Sequence, residues 1–121
     1  MTPDELLAQT VRTEGRRVLA TLVRTFGDLE LAQDAVQEAA VMALRDGPRA
    51  GLAALDEIDG LARSHLWHAA RAEALGRLGQ ADQAAAELAR AAELAPTEPE
   101  RRLLTRRLHA LDSREQHRSA G

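Results

Sequence analysis

The chain has 121 residues and a formal net charge of −3, which suits one compact domain or two small helical lobes and excludes bulk-charge attraction to nucleic acid. Hydrophobic residues make up 45% but aromatic ones only 2%, so the core must be built from Leu, Ala and Val, the materials of helix packing rather than of strands. Cysteine is absent, which excludes disulfides and thiolate metal sites. No apolar run approaches the ~20 residues a membrane span needs, and Met1-Thr2-Pro3-Asp4-Glu5 is unlike a signal peptide. A cytoplasmic location is the expectation.

Taken in chain order, the pattern predicts an all-α protein of about five helices. Thr2 can cap the first, Pro3 fits its first position and Glu5 completes a capping box. Leu7, Val11, Val18, Leu22 and Phe26 then recur at helical spacing. Gly27 is expected to end that helix and Asp28 to cap a second, from about Leu29 to Arg45, so that residues 1–46 form a helical hairpin. Two glycines around Pro48 mark residues 47–51 as a linker. A short helix over Leu52–Ile58, a longer one over Leu61–Leu78 and a third from about Asp82 to Ala95 follow, the last stopped by Pro96. Thr97 and Glu100 make a second capping box, opening a helix that carries Leu103, Leu104, Leu108 and Leu111. The polar tail, residues 113–121, is expected to be disordered.

Within the first half, Arg17-Val18-Leu19, the turn Gly27-Asp28 and the run Leu31-Ala32-Gln33-Asp34-Ala35-Val36-Gln37-Glu38-Ala39 resemble the opening of the helical domain of RNA polymerase sigma factors of the extracytoplasmic-function type. The family usually has Glu at the place of Gln33 and often an aromatic where Ala40 stands. The resemblance implies a helix that docks on the clamp helices of the largest subunit of core RNA polymerase. Asp34, Gln37 and Glu38 stand at i, i+3 and i+4, so they share a face and could accept charge-assisted hydrogen bonds from arginines of a partner helix. From the spacing alone an ordinary solvated face of an amphipathic helix is the better reading; the whole string favours the resemblance. The residues that read promoters, aromatics for unstacked bases and a helix-turn-helix for the major groove, are missing from the pattern. The chain therefore looks like a shortened relative that cannot recognise a promoter alone, and direct DNA contact is not expected.

Residues from about His65 to Pro96 are similar to one tetratricopeptide repeat, with Ala72, Leu75, Gly79, Ala84, Leu88, Ala91 and Pro96 in the expected order and His68 in place of the usual early Trp. A subgroup of the same sigma factors carries a tetratricopeptide-like extension, and the run Leu61 to Leu111 resembles it, within a repeat-like domain of residues 52–112. The resemblance implies a protein or peptide ligand for this half, and a repeat array too short to stand alone is expected to lean on the N-terminal hairpin or on a second copy. The rival reading is a stand-alone repeat scaffold with no part in transcription.

Other candidates are weaker. His65 and His68 have a zinc-compatible i, i+3 spacing but no fixed third ligand. Arg101, Arg102, Arg106 and Arg107 form a basic strip beside Glu98 and Glu100, better read as salt bridges than as a phosphate site. Asp56, Glu57 and Asp59 lack a paired acid and base, and no nucleophile motif or phosphate loop is present. No catalytic residue, cofactor or metal is expected; the expectation is a binding protein and not an enzyme.

Overall fold

A computed structural model describes residues 1–120, with side-chain surroundings for 1–114 and 116. The described residues form five α-helices and no strand: α1 (Pro3–Asp46), α2 (Pro48–Asp56), α3 (His65–Arg77), α4 (Ala81–Leu94) and α5 (Glu98–Ala120). The first capping box read from the sequence forms in full, and the second forms its threonine half. Thr2 Oγ1 accepts from the Glu5 amide at 3.2 Å while Glu5 Oε2 accepts from the Thr2 amide at 3.2 Å, and Thr97 Oγ1 accepts from the Glu100 amide. The chain divides into two compact units, Met1–Glu30 and Leu31–Gly121.

The hairpin expected over residues 1–46 does not form. α1 passes through Gly27 and Asp28 without a turn. Gly27 keeps a right-handed backbone, whereas Gly47, Gly60 and Gly79 take positive φ. A glycine inside a helix costs about 1 kcal/mol relative to alanine, but it does not oblige the helix to stop. Asp-Leu-Glu-Leu after it propagates the hydrogen-bond ladder at less cost than a left-handed cap and a new nucleus. Every residue of Met1–Glu30 is exposed, including Phe26 at 62%, so Phe26 is not the core residue its type suggests.

The second unit holds the core. Its break is narrower than the sequence implies: Gly47, with φ of 96°, is the only residue between α1 and α2, and Pro48 opens α2 instead of lying in a linker. Proline is suited to that position, where its missing amide would be unsatisfied anyway. Ala32 and Ala35 of α1 bury against Leu61, with Ile58, Leu66 and Trp67 packed around them. Ser64 caps α3 by accepting from the Trp67 amide. α3 and α4 are joined through Gly79, whose positive φ a side chain would strain. Ala72, Leu88, Ala91 and Leu104 form a second cluster linking α3, α4 and α5. Ala84 and Ala91 are 1% and 0% exposed, because only small side chains fit where helices pack this closely. The tail expected to fray continues α5 as far as Ala120, since nothing after Ser113 breaks a helix; Gly121 lies outside the described residues.

Candidate functional site

The stretch of α1 inside the second unit presents two opposite faces. Ala32, Ala35 and Ala39 are 0–4% exposed and set the inner face. At 3.6 residues per turn, Asp34, Gln37 and Glu38 centre roughly 140° round the helix from them, and all three are exposed. Among the described residues no ion pair engages Asp34 or Glu38. The inner alanines decide this geometry. They leave the acidic-amide row no direction but outward.

The same face carries residues that the acidic spacing does not single out. Leu31 and Val41 are 48% and 51% exposed, and Leu31, Asp34, Glu38, Val41 and Arg45 follow one another at steps of 3, 4, 3 and 4. Residues at such steps share one face of a helix, the spacing that helix-helix seams also use. This face therefore mixes two apolar contacts with two carboxylates, and Gln37 flanks it. The signal was in the sequence, hidden because Leu31 and Val41 look like core residues until the alanines take the core.

The two histidines at zinc-compatible spacing belong to separate ion pairs. His65 Nε2 lies 3.5 Å from Glu100. His68, 8% exposed, has Nδ1 2.5 Å from Glu87 Oε2 and Nε2 2.8 Å from the Ala62 carbonyl oxygen. Both ring nitrogens therefore face oxygen partners. Arg71 reaches Glu87 through Nε at 3.3 Å and pairs with Asp56 through Nη1, which accounts for one of the three clustered acids. Its guanidinium stands 4.9 Å from the Trp67 ring centroid, and Trp67 Nε1 donates to the Leu55 carbonyl at 3.0 Å. These contacts tie α2, α3 and α4 together. Arg101 and Arg102 of the basic strip both pair with Glu98. Among the described residues no group of three or more His, Asp or Glu side chains is arranged to hold a metal ion.

A cavity of about 400 Å³ opens between the inner parts of α1, α2 and α3; Ala40, Ala43, Leu66 and Ala70 form apolar walls, with Glu73 and Arg77 among its lining residues. Its walls offer an apolar side chain a place to sit. No helix among the described residues is long and apolar enough to cross a membrane.

No model of a known protein family matches the chain, and neither a characterised protein nor a solved structure does.

Proposed function

We propose that this chain is a sigma-factor-related transcription protein that docks on the clamp helices of core RNA polymerase through the outer face of α1. Asp34 and Glu38 receive arginines of the partner, Gln37 adds a neutral hydrogen bond, and Leu31 and Val41 supply the apolar contact between the charges. The observation that carries the reading is that the exposed residues at 3-4-3-4 spacing, which suit a helical partner, coincide with the residues that resemble the sigma-factor motif. The α3–α5 array serves as a tetratricopeptide-like module for protein interaction. Promoter reading is left to other components, because this chain offers bases only Phe26 and a Trp67 ring occupied by Leu55 and Arg71. Capture by immobilised clamp helices tests the proposal. Asp34→Arg with Glu38→Arg should weaken binding at least ~100-fold, since close interfacial charge pairs are each worth more than ~1.4 kcal/mol. Unchanged capture, or none by the unaltered chain, defeats it.

One observation favours a second reading. The apolar cavity beside Ala70 and Glu73 would accept a hydrophobic side chain of a peptide, as a stand-alone repeat scaffold requires. Under that reading Ala70→Glu blocks binding to a peptide selected on this protein, and the Asp34 and Glu38 substitutions leave it intact.

A further inference from the structure

The first unit carries an apolar stripe that nothing in the proposed docking face uses. Leu7, Val11, Gly15, Val18 and Leu22 fall within an arc of about 80° on α1, and Leu19 and Phe26 widen it. The large side chains among them are 47–64% exposed. Their order is symmetric: the steps from Leu7 to Val11, Val18 and Leu22 are 4, 7 and 4, so the stripe reads alike from either end about a centre between Glu14 and Gly15. A Cβ on Gly15 would meet nothing within 4 Å. The chain's own packing does not need a glycine there, and a glycine inside a helix is unfavourable. A glycine at the centre of the stripe is what two helix backbones crossing closely would require.

We infer that the occupant of this stripe is a second copy of the same stripe, laid antiparallel about a two-fold axis at Glu14–Gly15. Leu7 of one chain then faces Leu22 of the other, Val11 faces Val18, and the two Gly15 positions meet at the centre. Glu14 and Arg17 lie on one flank of the stripe, and the pairing sets each Glu14 within about 3 Å along the axis of the other chain's Arg17. Antiparallel helix dipoles also favour this direction. With about 100 Å² of apolar surface per fully exposed side chain, the six large residues offer on the order of 400 Å² from each chain. With polar flanks added, two copies approach the ~1,000 Å² total at which specific interfaces begin. Arg12 and Arg16 bring like charges together on the other flank. The dimer is therefore reversible rather than permanent.

Because the chain has no cysteine, single introduced thiols can report the pairing without interference. Sedimentation over roughly a hundredfold range of concentration should show a shift from monomer to dimer. Gly15→Cys should crosslink to itself under mild oxidation, and Leu7→Cys should crosslink to Leu22→Cys in a mixture, whereas Val11→Cys alone should crosslink at least 10-fold more slowly. Gly15→Leu, which improves helix propensity and so keeps α1 formed, should weaken the dimer at least 10-fold. A monomer at every concentration, or self-crosslinking of Val11→Cys as fast as that of Gly15→Cys, overturns the inference. Neither result bears on capture by the polymerase clamp.

Discussion

Replacing Glu87 by alanine probes the contacts that hold α2, α3 and α4 together. Glu87 receives His68 at 2.5 Å and Arg71 at 3.3 Å. Its removal leaves a nearly buried imidazole with one nitrogen unpaired, while Arg71 keeps Asp56. Removing one partner of a fully buried charged pair costs about 3–5 kcal/mol. The side chains of His68 and Glu87 are 11% and 20% exposed, so water can compensate in part, and about 2–3 kcal/mol is the expected loss. Against a total stability of about 5–15 kcal/mol, that is a large fraction, and it should lower the melting temperature by roughly 10 °C. Trp67 is the only tryptophan and belongs to this network, so its fluorescence during urea denaturation reports this unit and not residues 1–30. Glu93→Ala is the control, because the Glu93–Arg90 pair is exposed on both sides and should cost less than about 0.5 kcal/mol. If Glu87→Ala falls within that same margin of the unaltered chain, the His68–Glu87 contact is solvated in solution and the reasoning fails.

Three further substitutions test the fold elsewhere. Gly51→Ala would place a Cβ 2.9 Å from Ala43 Cβ and 3.0 Å from the Ala39 carbonyl oxygen, so urea titration should show a loss of about 1–3 kcal/mol from overpacking. Ala91→Leu, at a position 0% exposed between α3, α4 and α5, should cost a similar amount by the same measurement. Gly27→Ala distinguishes a continuous α1 from a hairpin: the continuous helix should gain helicity by circular dichroism, worth up to about 1 kcal/mol, whereas a left-handed cap at Gly27 would be destabilised.

Local chemistry decided much of this protein before any packing was considered. The all-helical class follows from a Leu- and Ala-rich chain with almost no aromatic residues. The capping residues Thr2 and Thr97, the turn at Gly79, and the buried positions Ala72, Ala84, Leu88 and Ala91 were all legible, because each depends on neighbours a few residues away or on a spacing repeated every turn. The outward direction of Asp34, Gln37 and Glu38 was half legible: their shared face followed from i, i+3 and i+4, but which side of the helix faced the core did not.

Tertiary structure decided what local signals leave open. Gly27-Asp28 can end one helix and start the next, yet it can equally lie inside one, since a single glycine costs less than the turn would unless the two arms bury each other. Here Ala32 and Ala35 find Leu61 and Trp67 instead, and the stripe from Leu7 to Phe26 stays exposed. His68 illustrates the same division. Its spacing from His65 is compatible with a metal but reads better as a partly buried imidazole, and the partners that determine its chemistry, Ala62 on a loop and Glu87 on another helix, come together only when α3 and α4 pack. Periodicity sets what each helix can offer, and only the competition among its neighbours for buried surface determines which face is taken.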